Sequence, residues 1–227
     1  TLYTDGPHAP YVKHPDSGYR TSKAERSRYR GEVYDTDQWV KFLVEYLRMQ
    51  DMGALWENTI FIVTADHGEE FGEHGNKLHA RTCYEESTHV PLLVRIPGMK
   101  HQRFEQRVAL VDVVPTLLEL LDVEADTSML DGQSLAIPAF EPEAVDPRRP
   151  IYCTTTSLKA SFGEFFRRSV RDGKYTLITD GRSDKIELYD SETDLAETKD
   201  LSQDPAQADT VSRFLSKGRQ VYVEGRL

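Results

Sequence analysis

The stretch from Thr59 to Gly98 limits what this chain can fold into more than any other part of it. It opens on Thr59-Ile60-Phe61-Ile62-Val63-Thr64-Ala65, an apolar, β-branched run that reads as a strand buried on both faces of a parallel sheet. The run passes straight into Asp66-His67-Gly68. Ligands of open α/β sheets gather outside the carboxyl ends of the strands, so this carboxylate and imidazole stand where chemistry is expected. A polar, glycine-punctuated loop with His74, Lys77 and His79 follows. A second apolar run, Val90-Pro91-Leu92-Leu93-Val94-Arg95-Ile96-Pro97, then returns to the sheet.

Bulk properties narrow the classes. The 227 residues allow one large or two small domains, and 38% hydrophobic with 10% aromatic residues can support a core. With 28 Lys and Arg against 38 Asp and Glu the formal charge is −10, which argues against nucleic-acid binding. An anionic substrate stays compatible, because a bound cation and a few local charges outweigh a distant net charge. Cys83 and Cys153 are too few for a disulfide framework, though one bridge is allowed. No run of eighteen apolar residues exists, so no membrane partner is expected.

Around the central stretch, Pro7-His8-Ala9-Pro10-Tyr11 reads as a turn and residues 12–23 as a polar loop. Tyr29, Val33, Val40, Leu43, Val44 and Leu47 fall at helical spacing and predict an amphipathic helix from Ala24 to Met52, packed on the sheet and stopped by Gly53. In Val108–Leu121, Asp112 can cap a helix whose first turn tolerates Pro115, with Leu117, Leu118 and Leu121 facing the core. Pro138, Pro142, Pro147 and Pro150 mark a boundary, dividing the chain into 1–140 and 141–227. Beyond it, Ile151–Thr156, Arg167–Asp172, Lys174–Thr179 and Glu187–Asp190 read as strands, with Asp172-Gly173 as a hairpin signal and Pro205–Val223 as a terminal helix.

Asp66-His67-Gly68, Glu73-His74-Gly75, His79, Tyr84-Glu85-Glu86 and His89-Val90-Pro91-Leu92, in this order, resemble the sulfatase family of the alkaline-phosphatase-like superfamily. Asp131-Gly132-Gln133-Ser134-Leu135 and Arg171-Asp172-Gly173-Lys174-Tyr175 extend the likeness over nearly the whole chain. The resemblance implies an α/β fold: a portion of an alkaline-phosphatase-like mixed sheet flanked by helices, plus a small C-terminal antiparallel β subdomain with a terminal helix. Residues 1–140 would be the C-terminal part of the catalytic domain, and 141–227 the small α+β subdomain. The implied activity is metal-assisted hydrolysis of a sulfate ester of a small molecule or glycan. The alternatives are a phosphonate monoester hydrolase or phosphodiesterase of the same superfamily, or a non-catalytic anion-binding relative.

By the same resemblance Asp66 and His67 are metal ligands. One divalent cation is implied, with calcium favoured and manganese, magnesium or zinc open, since relatives often carry asparagine where this chain has His67. His8 would face the sulfate, and His79 would contact the ester oxygens and could act as a general acid. Lys77 is the rival for the role of His79, and His74 either lines the pocket or braces the loop. The plainer alternatives are a capping Asp66 beside a satisfied His67, a solvated turn for His8 and a solvated Lys77. Sulfatases attack with a formylglycine made within a Cys/Ser-x-Pro-x-Arg motif, and neither Cys83 nor Cys153 fits it. The nucleophile is therefore expected outside this chain, as is the aspartate pair that completes the metal site. By itself the chain is expected to be inactive and to self-associate through an exposed sheet edge and apolar faces.

Overall fold

The computed structural model describes residues 1–12, 24–136, 146, 149–157 and 165–223. They form two units, one of Thr1–Ala65, Glu69–Leu78 and Val90–His101, the other of Asp66–Gly68, His79–His89 and Gln102–Leu227. The expected loop at 13–23 lies outside the described residues, and so do Pro138, Pro142, Pro147 and the 140/141 boundary they mark.

In the first unit, helix α1 spans Glu25–Met49 and ends in a 3₁₀ turn over Gln50–Gly53. Gln50 turns extended and Asp51, Met52 and Gly53 then take positive φ of 46°, 54° and 93°, so the helix ends three residues earlier than the glycine signal predicts. Helix α2, Ala54–Glu57, follows. The predicted apolar face of α1 is only half-buried, and Val33 is exposed. Trp39, Phe42, Tyr46 and Met49 form a second, exposed apolar stripe along the same helix, so the expected packing of one clean face on a sheet is not what this unit shows.

Strand β1, Phe61–Thr64, pairs antiparallel with the later strand β4, Leu92–Arg95, in the register Phe61↔Arg95 to Thr64↔Leu92. This corrects the parallel, doubly buried strand read from the apolar run. Thr64, Leu93 and Val94 are exposed, and among the described residues the sheet has two strands. A β-branched run reports strand propensity and burial tendency, but strand direction depends on the partner and the connection, which the run does not encode. Arg95 locks the pair to the preceding turn. Its guanidinium donates to the carbonyls of Trp56 and Thr59 at 2.5 and 2.7 Å and stacks 4.3 Å from the Trp56 ring centroid. Strands β2, Glu70–Phe71, and β3, Lys77–Leu78, make a two-residue ladder over the intervening loop.

The second unit begins with the short helix α3, Glu85–Thr88, and helix α4, Val113–Leu120. Strands β5, Ile151–Ser157, β6, Phe165–Asp172, β7, Tyr175–Asp180, and β8, Lys185–Asp190, form an antiparallel meander in chain order. All four predicted strands are present within a few residues. The hairpin sits one residue later than Asp172-Gly173 suggests: Asp172 pairs with Tyr175, and Gly173-Lys174 make the turn, with Gly173 at φ 58°. Pro205–Gln207 opens the C-terminal helix as a 3₁₀ turn, capped by Asp204 accepting from the Ala206 N–H at 2.9 Å, and α5 runs over Ala208–Val223. Phe214 of α5 is fully buried against Val170, Leu177 and Leu188. Arg213 and Lys217 of α5 both reach the Asp172 carboxylate, at 3.1 and 2.5 Å.

Asp112 does not cap α4 with its side chain. It is fully buried, takes a two-pronged hydrogen bond from Arg149 with both contacts at 2.7 Å, and accepts from the N–H groups of Ala109 and Gln133 at 2.8 and 2.9 Å. Thr116 continues the tie, accepting from the Leu135 N–H at 2.9 Å. The Asp-x-x-Pro-Thr block and the Asp-Gly-x-Ser-Leu turn are thus one structural clamp.

Truncating Phe214 leaves a cavity in the sheet–helix core, and F214A should cost about 3–5 kcal/mol in urea unfolding. Lys174 holds the Asp190 carboxyl below its usual range. Burial pushes that of Asp180 upward, but the Arg182 N–H and the Arg167 guanidinium outweigh it and hold it down. Both folded-state values lie below the unfolded ones, so their stabilisation is full above the unfolded value of about 4 and is lost as the pH falls below it. Thermal melts from pH 7 to pH 3 should show the midpoint falling in the lower part of that range, with a smaller fall in D190N.

Candidate active site

Asp66, His67 and Gly68 form a tight corner in the second unit. The His67 N–H donates to Asp66 Oδ1 at 3.0 Å, and His67 Nδ1 lies 2.8 Å from the Gly68 carbonyl oxygen. That contact assigns the ring proton to Nδ1 and leaves Nε2 as the lone-pair nitrogen, 3.7 Å from Asp66 Oδ2. The ring of His79 stacks on that of His67 with centroids 4.2 Å apart and planes 30° from parallel. The structure therefore brings together three of the residues singled out from the sequence.

Backbone contacts fasten the corner to the segment carrying α3. The Gly68 N–H donates to the Ser87 carbonyl at 2.9 Å, and a Cβ on residue 68 would lie 2.0 Å from the Glu86 carbonyl oxygen. Only glycine allows that approach. The backbone on either side of His79 is left-handed, with Leu78 at φ 71° and Ala80 at φ 64°. Such conformations cost on the order of 1–3 kcal/mol each in residues other than glycine and cluster where a side chain must be aimed.

The supporting groups were not legible as site residues. Arg171 on β6 is buried and bridges Glu85 at 2.8 Å and Glu197 at 3.3 Å, while Glu197 also accepts from the Glu85 N–H at 2.7 Å. Burial raises the Glu197 carboxyl above its ordinary range despite the guanidinium beside it. The Tyr84 hydroxyl donates to Glu187 at 2.9 Å, and burial with that carboxylate pushes the phenol upward. His89 Nδ1 lies 2.9 Å from Glu85 Oε1.

The other expected site residues lie in the first unit. Lys77 donates to Glu25 at 2.9 Å, and the ammonium holds that carboxyl below its usual range. His8 is exposed, with Nδ1 2.7 Å from the Ala9 carbonyl oxygen. His74 is half-buried in a loop where its carbonyl accepts from Asn76. That loop is pinned by Arg26 to Glu73 and by the Tyr11 hydroxyl to Glu69 at 2.5 Å. Tyr11 packs with Tyr29 and Phe71, and burial beside Glu69 raises its phenol.

Asp66 and His67 supply one carboxylate oxygen and one imidazole nitrogen at a spacing that two donors to a common dication can adopt. Among the described residues no group of three or more His, Cys, Asp or Glu side chains is arranged to hold a metal ion. The pair fits part of a metal site.

Solved structures match this architecture closely. A protein from Bacteroides thetaiotaomicron assigned as a sulfatase superposes with TM-score 0.78 at 23% identity, covering 91% of this chain and 44% of that one. A second, solved in complex with its substrate D-glucosamine-2-N,6-O-disulfate, gives TM-score 0.72 at 25% identity over 89% of this chain and 40% of that one. The chain is a mixed α/β protein of the alkaline-phosphatase-like fold, with an antiparallel C-terminal β subdomain. The sulfatase family model matches residues 1–123, and that of the N-sulphoglucosamine sulphohydrolase C-terminal region matches 72–222. The chain belongs to the sulfatase family. Arylsulfatase K of Canis lupus familiaris is 38% identical over 111 residues, 48% of this chain and 20% of that enzyme. The chain thus matches less than half the length of these relatives, from 20% to 44%.

Loss of the buried guanidinium should loosen the site segment more than the sheet. In R171M, hydrogen exchange at residues 79–89 should rise by at least about tenfold while β7 and β8 keep their protection. Equal acceleration throughout would show that Arg171 serves the whole unit and not this segment.

Proposed function

We propose that this chain forms the C-terminal part of a sulfuric ester hydrolase that acts on the sulfate ester of a small molecule or glycan. The observation that carries the proposal is the convergence of Asp66 Oδ2 and His67 Nε2 at 3.7 Å, with the His79 ring stacked against His67. Family membership supports the reaction class, and the disulfated glucosamine bound by a structural relative supports a sulfated sugar as the substrate class. In this proposal residues 1–140 belong to the catalytic domain and 141–227 to the small C-terminal subdomain.

Asp66 and His67 hold one divalent cation, with calcium the first choice and the imidazole donor extending the choice to manganese or zinc. Held by Asp66 and His67, such a cation would supply Lewis-acid polarisation of the ester and of the attacking hydroxyl. The formylglycine that bears this hydroxyl in the family comes from outside these residues. His79 faces the ester oxygens, offsets the charge that builds in the transition state and, when protonated, delivers a proton to the leaving oxygen. The Nδ1 contact to the Gly68 carbonyl keeps the His67 ring in the tautomer that offers Nε2. His8, Lys77 and His74 are the further residues we assign to binding the anionic substrate, Lys77 after exchanging Glu25 for it. The apolar stripe of Trp39, Phe42, Tyr46 and Met49 is the surface through which the isolated chain self-associates.

The test is turnover of an aryl sulfate by the whole enzyme. D66N and H79A should each lower kcat/KM by about 10²–10³-fold, and D66N alone should also lower bound metal. The isolated chain should show no turnover. Faster hydrolysis of an aryl phosphonate monoester than of the aryl sulfate would reassign the enzyme to the phosphonate branch of the superfamily.

A further inference from the structure

The segment that carries His79 is laid along β5, the edge strand of the four-stranded sheet. The Thr155 hydroxyl donates to the Ala80 carbonyl at 2.9 Å, and Arg167 of the neighbouring strand donates to that of Arg81 at 2.7 Å. Cys83 comes next along this track. It is fully buried, and its Sγ lies 4.0 Å from the carbonyl oxygen of Cys153 on β5. Cys153 is half-buried and packs on the cluster of Cys83, Tyr84, Ile178 and Tyr189. Both are free thiols, and they are the chain's two cysteines. Two residues 70 positions apart in sequence therefore meet side by side in one small core.

We propose that Cys83 and Cys153 are a reactive dithiol site, oxidised by small-molecule disulfides of the glutathione class to a bridge that ties the His79 segment to β5. The two sulfurs divide the work by environment. The neighbouring Cys153 and burial push the Cys83 thiol upward, whereas the neighbouring Cys83 draws Cys153 down to about 7 against its own burial, with Arg171 assisting. Cys153, the more accessible of the two sulfurs and the one drawn downward, is therefore the first nucleophile. Cys153 attacks the small disulfide, forms a mixed disulfide and releases one thiolate. Cys83 then gives up its proton, attacks the Cys153 sulfur and expels the second thiolate. Two protein thiols become one disulfide, and one small disulfide becomes two thiols. The bridge closes a long loop, so the oxidised chain should melt roughly 5–10 °C higher than the reduced one. The site is independent of the hydrolase proposal, because its readouts are mass and melting temperature rather than turnover.

The experiment treats the native chain with oxidised glutathione, quenches it in acid, unfolds it and alkylates it without reductant. The expected product is two hydrogens lighter than the reduced chain, takes up no alkyl group and yields a tryptic peptide joining Cys83 to Cys153. In C83A the reaction should stop at a glutathione adduct on Cys153, and C153S, which keeps only the buried sulfur, should take up none. Alkylation of both cysteines in the wild-type chain would overturn the proposal. So would a persistent glutathione adduct or a bridge between two chains, and these wild-type results decide the matter even if C83A does not fold.

Discussion

Arg171 lies buried among groups that include two carboxylates, and the segment bearing His79 takes its position from that arrangement. The energetic balance shows what such a triad is for. Burial pushes the Glu197 carboxyl upward more strongly than the guanidinium pulls it down, so desolvation wins over attraction at that group. A buried ion pair is accordingly a weak source of net stability, yet loss of one partner strands a charge at a cost of about 3–5 kcal/mol. The triad acts as a constraint. It allows one place for the start of α3, and with Tyr84 on Glu187 and Arg167 on the Arg81 carbonyl it fixes the track that ends at the stacked imidazoles.

The chain carries a formal charge of −10, and an anionic substrate gains nothing from such a field at long range. Recognition of the proposed ester would then come from groups in contact with it, where separations are short and screening over about 8–10 Å matters little. The disposition of the cations follows this logic. Lys77 of the polar loop is held by Glu25 of α1, and Arg26 of α1 by Glu73 of the loop, so both of these cations are in ion pairs. An anion that binds Lys77 must displace a carboxylate, which favours a multiply charged ester over a weakly charged one.

The C-terminal sheet was the most legible part of the fold. Its strands alternate, their turns carry glycine or Asx signals, and each apolar residue of Val170, Leu177 and Leu188 faces a single core under Phe214. The direction of β1 was not legible, because Ile60-Phe61-Ile62-Val63 is equally apolar whether its partner runs parallel or antiparallel. The role of Asp112 was half legible. A position before Val113-Val114-Pro115 suggests a cap, but the Arg149 and Gln133 that satisfy it are 37 and 21 residues away. At the site, Asp66, His67 and His79 stand out by residue type and spacing. Arg171 and Glu197 do not, since an arginine on a strand and a glutamate in a polar loop are ordinary until the fold buries them together.

Gly68 joins the two levels. In sequence it is only the third residue of Asp-His-Gly. In the structure its missing side chain lets the backbone close onto the Glu86 carbonyl and donate to Ser87, and its own carbonyl then orients the His67 ring. A larger residue would have to move a backbone oxygen that sits 2.0 Å from its Cβ, and α3 would move with it. The helix start is in turn held by Glu197 and Arg171. The acid–imidazole pair, the glycine and the buried triad are therefore links of one chain of contacts. In this chain the Asp-His-Gly triplet takes its shape from the surface that its glycine touches.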